Sequence, residues 1–237
     1  MRARKAKASP ATRRRLVLVF GENENDRAAI RHLTEGLRPD LKGLVETRRQ
    51  PLVLIKNATA PNARKSAERI AGLVRQETAA REVLAVLAHE DCDALEPAHQ
   101  TVAARIEGEL AAAGCPAPLI AVTPCWEIEA WWMIFPEAVG KLVERWREPN
   151  DWIGRDVGQV RNAKEALARA VQPRGATKSP PRQYEESDSI SIAENAARDG
   201  LLSSFRDGCR ESHHVNGVPK RTRSASFEAF RTKVLGI

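Results

Sequence analysis

The chain has 237 residues and a formal net charge of +7, long enough for one large domain or for a domain of about 120 residues with an appendage. No apolar run reaches the roughly 18 to 20 residues of a membrane span, and the basic N-terminus lacks the apolar core of a secretory signal, so a cytoplasmic protein is expected. The four cysteines, Cys92, Cys115, Cys125 and Cys209, have no C-x-x-C spacing and no zinc-module pairing with the five histidines, which predicts reduced thiols.

The positive charge is local. Residues 1–15 carry seven basic side chains and no acid, and the remainder balances at 31 basic and 31 acidic residues. Residues 1–14 are therefore expected to form a disordered basic arm. Beyond it, residues 16–140 hold 13 basic and 18 acidic side chains, whereas 141–237 hold 18 and 13. An acidic half suited to metal is followed by a basic half suited to phosphate.

In chain order, RLVLVF (15–20) reads as a buried strand that Gly21 terminates. The next segment, GENENDRAAIRHLTEGL, repeats apolar residues at helical spacing, with Asn25 or Asp26 as N-cap. PLVLI (51–55) predicts the second strand and 62–81 a second helix. A third strand is predicted over 82–88, a helix over 96–113 with Pro97 in its first turn, and a fourth strand over LIAVT (119–123). This alternation implies βαβ units and a parallel sheet with helices on both faces. Binding sites in such sheets lie beyond the carboxyl ends of the strands, where Glu22, Asp91 and Asp93 fall.

The stretch LAVLAHEDCDAL (84–95) breaks from an apolar run into Glu90, Asp91 and Asp93. In extended chain an Asp-x-Asp pair points both carboxylates one way. Neighbouring carboxylates repel without a cation between them, and Mg²⁺ is a suitable one. The plainer alternative is an acidic loop that caps the next helix. After the fourth strand, Glu127 and Glu129 lie in a segment rich in tryptophan; all five tryptophans fall between 126 and 152, which predicts a hydrophobic seam against the sheet. Further on, helices are predicted over 160–171, 190–202 and 226–235. Between them lie a proline-rich polar connection carrying Lys178, Arg182 and Tyr184, and a basic patch over 206–226 expected to be flexible.

Three motifs carry a resemblance: GENEND (21–26), HEDCDAL (89–95) and EIEAW (127–131). With their order along the chain they resemble the Toprim superfamily of topoisomerases, primases and overcoming-lysogenization-defect nucleases. The closer likeness is to small Toprim-like proteins of bacterial phage-defence islands. The resemblance implies a Rossmannoid parallel sheet of about four strands over residues 15–135, with a mainly helical extension over 136–237. One departure is that the family's first-loop acid precedes the glycine, whereas here Phe20 does; Glu22 follows it, and Glu24 is the alternative.

What the resemblance implies chemically is Mg²⁺- or Mn²⁺-dependent phosphodiester hydrolysis. Asp91 and Asp93 would hold the ion, joined by Glu127 or Glu129 at a second one, with Glu22 as general base or additional ligand and Lys178 offsetting phosphate charge. Arg182, Lys220, Arg221 and Arg223 are the expected nucleic-acid contacts. Substrates would be DNA or RNA, tRNA included, and an ABC-type ATPase encoded alongside is the expected partner. Tyr184 is the chain's only tyrosine and lies far from the acids in sequence, which favours hydrolysis over strand passage. The alternative is a non-catalytic scaffold binding nucleic acid or a protein. A receiver-like domain fits less well, since no lysine closely follows Thr123.

Overall fold

The alternation within the first strand, β1 (Arg15–Phe20), sets the architecture. Val17 and Val19 join one apolar cluster, Leu16, Leu18 and Phe20 the other, and all five are fully buried. A strand apolar on both faces must be covered on both, as in helix-flanked parallel sheets. The computed structural model describes residues 13–174, 179–215 and 218–237. The basic arm, apart from Arg13 and Arg14, and Lys178 lie outside these described residues.

The chain continues through α1 (Glu24–Leu37), β2 (Val45–Thr47), α2 (Ala60–Ala80), β3 (Glu82–His89), α3 (Ala98–Ala112) and β4 (Leu119–Val122). The four strands form one parallel sheet in the order β2-β1-β3-β4. Ile30 and Leu33 of α1 pack on the Val17 face; Ile70 and Val74 of α2 and Ile106 and Leu110 of α3 pack on the Leu18 face. This is a generic Rossmannoid arrangement. None of the described helices is long and apolar enough to cross a membrane.

The second strand differs from expectation. PLVLI is not in the sheet; the edge is the short Val45–Thr47. Val53 and Ile55 still point inward, into the cluster with Leu18, while Leu54 is exposed. The backbone amides of this segment pair with side chains instead of a neighbouring strand: Leu54 N–H donates to Ser66 Oγ (3.3 Å), and Ile55 and Lys56 N–H donate to the Glu90 carboxylate. Satisfied in this way, the segment needs no ladder.

The C-terminal part comprises α4 (Glu129–Trp132), α5 (Pro136–Gly140), α6 (Ala163–Ala170), α7 (Asp188–Arg198) and α8 (Ala225–Leu235), with an antiparallel sheet before α8. That sheet, β5 (Phe205–Arg206), β6 (Cys209–Val215) and β7 (Val218–Arg223), replaces the expected flexible basic patch. Asp207 (φ +50°) and Gly208 (φ +74°) both adopt left-handed backbone between the paired Arg206 and Cys209, the turn an Asp-Gly hairpin requires.

The tryptophan seam holds as expected at Trp131 and Trp132, both fully buried. Trp131 stacks on Phe230 of α8 at 5.2 Å and meets Phe227 edge-on, and Phe227 is also edge-on to Phe135 and Phe205. Aromatic contacts of this kind dominate core energetics and hold α8 and the small sheet against the Val17 face. Gly36 lets α1 approach α7, because a Cβ there would lie 2.5 Å from Ala197 Cβ.

Candidate metal centre

In the order β2-β1-β3-β4 the chain reverses direction of growth between β1 and β3, which makes the crevice at their carboxyl ends the topological switch point. Gly21 ends β1 at this crevice. A Cβ on it would lie 3.1 Å from Arg27 Cγ and 3.3 Å from His89 Cβ, so glycine permits the close packing there. Glu22 follows. Asn23, not Asn25 or Asp26, caps α1: its Oδ1 accepts the Asp26 N–H at 2.9 Å. Asp26 is thereby turned inward and buried.

From β3 come His89, Glu90, Asp91 and Asp93. The His89 ring is fully buried, with Nδ1 3.7 Å from Asp26 Oδ2 and Nε2 3.3 Å from Asp91 Oδ1. Neither approach meets hydrogen-bond geometry, and among the described residues both ring nitrogens and Asp91 Oδ1 are buried without a hydrogen-bond partner. Burial alone would lower the His89 pKa, but the charges of Asp26, Asp91 and Glu22 outweigh it and push it up to about 9. Burial pushes Asp26 and Glu22 upward in turn, against the pull of His89 on both and of Lys56 on Glu22. Asp26, His89 and Asp91 each offer a ligand atom within 4.8 Å of the others.

Lys56 enters from the segment that was expected to be a strand. Its ammonium donates to the Asp91 carbonyl and to Asp93 Oδ2 (2.6 Å) and lies 3.7 Å from Glu22 Oε1. The buried Glu90 holds it there by accepting the amides of Ile55 and Lys56. Glu22, Asp91 and Asp93 are therefore brought together, around a lysine. Glu24 sits exposed in the first turn of α1, so Glu22 is the first-loop acid that reaches the crevice.

Asp91 and Asp93 do not share a direction as simple alternation predicts. The strand ends at His89 and Asp93 adopts φ +51°, which turns its carboxylate to Lys56 while Asp91 faces His89. The loops after β3 and β4 are laced by main-chain hydrogen bonds: Cys92 N–H to Pro124 O (3.0 Å), Asp93 N–H to Trp126 O (3.1 Å) and Trp126 N–H to Ala94 O (2.9 Å). Trp126 is itself left-handed (φ +59°), a rare state for a bulky residue that the lacing holds in place.

This lacing carries Glu127 and Glu129 toward Asp91, whose charge raises both pKa values, although burial is the larger cause in each. Glu127 accepts the Lys164 N–H (3.0 Å). Glu129 is buried, accepts the Tyr184 hydroxyl (2.9 Å), and its pKa rises to about 8. Tyr184 and Trp132 both meet Ser189 Oγ, at 2.7 and 2.9 Å. Glu129 and Tyr184 thus form part of the packing between α4 and α7.

The basic residues expected to contact nucleic acid divide. Arg182 forms a two-pronged ion pair with Asp188 (2.7 and 2.5 Å) over the Trp146 ring, a structural arrangement. Arg221 pairs with Glu211 across the small sheet at 2.9 Å. Lys220 and Arg223 are exposed.

From the sequence Asp26 is expected only as a cap, and Lys56 and His89 have no expected site role. Only His89, a titratable residue at the end of an apolar strand, carried a visible signal. A second cluster joins Glu96, His99 and Cys125, whose ligand atoms also lie within 4.8 Å of one another. Both clusters have donor sets able to hold a divalent ion. No family model matches this chain, and no curated protein or solved structure matches it either.

Proposed function

We propose that the chain is a Mg²⁺- or Mn²⁺-dependent nuclease hydrolysing phosphodiester bonds of DNA or RNA, with Asp91, Glu22 and Asp93 as the principal ion-holding groups. The observation that carries this reading is the convergence of acids from the loops after β1 and β3 on the switch-point crevice, with Asp91 Oδ1 buried, free of any aligned hydrogen bond and faced by the His89 ring at 3.3 Å. Four carboxylates and one imidazole suit hard cations, and the imidazole favours Mn²⁺ over Mg²⁺. The likeness of GENEND, HEDCDAL and EIEAW to Toprim-like proteins of phage-defence islands points the same way. It supplies the biological setting, an effector of anti-phage defence restrained by an ATPase partner.

A bound divalent ion supplies polarisation of a phosphoryl oxygen and a more acidic water. The chain's own residues do the rest. Glu22, partly exposed and made a stronger base than an ordinary carboxylate by its burial, accepts a proton from the attacking water. Lys56, once released from Asp93, offsets charge on the phosphate. His89 balances the charges of Asp26 and Asp91. Lys220 and Arg223 provide phosphate contacts.

The test is cleavage of labelled single- and double-stranded DNA, RNA and tRNA with Mg²⁺, Mn²⁺ or chelator. Ion-dependent cleavage abolished by Asp91→Ala and by Glu22→Ala is expected. Cleavage that survives chelation or Asp91→Ala overturns the assignment. A specific observation favours the second reading, a non-catalytic scaffold: Lys56 and His89 already place two cations among the acids. That reading predicts no Mn²⁺ binding by calorimetry at this crevice.

A further inference from the structure

The second cluster differs from the first in chemistry. Glu96 leaves the loop after β3, three residues beyond Asp93. His99 is in the first turn of α3, and Cys125 lies in the loop after β4, two residues before Glu127. His99 and Cys125 are buried. His99 Nδ1 lies 3.5 Å from Cys125 Sγ. The thiol and the imidazole are in hydrogen-bond contact, and the same separation suits a tetrahedral zinc site, where Zn–S of about 2.3 Å and Zn–N of about 2.0–2.1 Å put sulfur and nitrogen roughly 3.5–3.6 Å apart. A thiol, an imidazole and a carboxylate select a borderline-soft ion over Mg²⁺.

Glu96 is already oriented. Its Oε1 accepts the Ser226 N–H (2.9 Å) and the Ser224 hydroxyl (3.4 Å), both at the start of α8. Gly158 leaves room for this carboxylate, since a Cβ there would fall 2.0 Å from Glu96 Cδ. Ser226 Oγ in turn accepts from Trp131 Nε1 (3.0 Å) and from the Cys125 N–H (3.4 Å). Oriented ligands with such supporting hydrogen bonds are the usual accompaniment of metal sites. A cavity of about 250 Å³ lined by His99, Thr123 and Ser226 reaches the cluster on its His99 side.

We propose that Glu96, His99 and Cys125 bind Zn²⁺, with water in the fourth position, and that this ion staples the loops after β3 and β4 to each other and to the start of α8. Binding displaces the Cys125 thiol proton to solvent, forming the Zn–S bond as the S–H bond breaks. The ion's effect on the crevice is positional. It ties Asp93 and Glu127, both a few residues from a ligand, to one fixed point.

The test uses the full chain stripped by chelator and titrated with Co²⁺, whose thiolate complexes absorb in the near ultraviolet by sulfur-to-cobalt charge transfer. One equivalent of Co²⁺ is expected to give that absorption, and Zn²⁺ to bleach it. Cys125→Ser should abolish the band, and His99→Gln should weaken Zn²⁺ binding by about tenfold or more. Asp91→Asn, which alters only the other cluster, should leave the band intact. Absence of the band in the unsubstituted chain overturns the proposal whether or not any variant folds. So does Zn²⁺ affinity unchanged by Cys125→Ser.

Discussion

Glu90→Gln separates the role of Glu90 from that of the other acids, because this carboxylate binds only backbone. It is 1% exposed and accepts two adjacent amides, those of Ile55 and Lys56. A glutamine carbonyl can accept one of them, but its NH₂ is then turned toward the other donor. One buried amide is left unpaired, at about 1–3 kcal/mol, and the surviving bond loses its charge assistance, worth about 1 kcal/mol. The total, about 2–4 kcal/mol, corresponds to a fall in Tm of roughly 4–16 °C for a chain of this size. Residues 51–56 have no strand partner, so the loss should be concentrated there. Hydrogen exchange at the Ile55 and Lys56 amides should accelerate far more than at β1 or β3 amides. Release of Lys56 also removes a cation from Asp93 and Glu22, so Mn²⁺ affinity at the crevice should rise. Unchanged protection at Ile55 and Lys56, or a loss of protection spread evenly over the sheet, would refute the reasoning.

Lys56→Ala should tighten Mn²⁺ binding in calorimetry and yet lower any ion-dependent cleavage, since the same side chain both competes with the ion and serves the phosphate. His89 has its pKa raised in the folded chain, so its contribution to stability is complete below about 6.5 and is lost as pH rises through about 9. Urea unfolding in chelator should show that decline, and His89→Gln should flatten it. Glu129 also holds its proton more tightly when folded, so stability falls as pH rises from about 4.5 to about 8; Glu129→Gln, which can still accept from Tyr184, should stabilise the chain above pH 8. Gly36→Ala gains about 1 kcal/mol of helix propensity but forces α1 and α7 apart at a cost of about 1–3 kcal/mol, so thermal melting should show net destabilisation. Arg182→Ala should lower Tm while leaving nucleic-acid binding unchanged, because its guanidinium is committed to Asp188 and Trp146.

Three of the four sheet strands were legible because their signal is local. RLVLVF, EVLAVLA and LIAVT are apolar on both faces, and only a strand covered on both sides uses such a run efficiently. The remaining strand was misread for a reason outside its own sequence. PLVLI has a better β pattern than VET, but Glu90, 35 residues away, supplies the acceptors that let PLVLI remain outside the ladder. The small antiparallel sheet was legible in principle, since Asp207-Gly208 is a hairpin signal. The same two-residue signal recurs at Asn216-Gly217, outside the described residues, and the basic composition of the region masked both.

The site divides in the same way. Glu22, Asp91 and Asp93 announce themselves as acids at strand ends, where any parallel sheet puts its ligands. Asp26, His89 and Lys56 do not, because each has an ordinary local role: the first resembles a cap, the second ends a strand, the third follows an apolar run. Their part is created by juxtaposition across 37 residues between Lys56 and Asp93 and between the first turn of α1 and the end of β3 for Asp26 and His89. Four carboxylates in one half-buried crevice repel unless a proton is retained or cations lie among them, and here Lys56 and His89 supply the cations. Cys125 and His99 illustrate the same limit, being 26 residues apart in sequence and 3.5 Å apart in space. A spacing rule built for compact zinc modules has no means of joining them, whereas the parallel pairing of β3 with β4 delivers the start of α3 and the loop after β4 to the same end of the sheet.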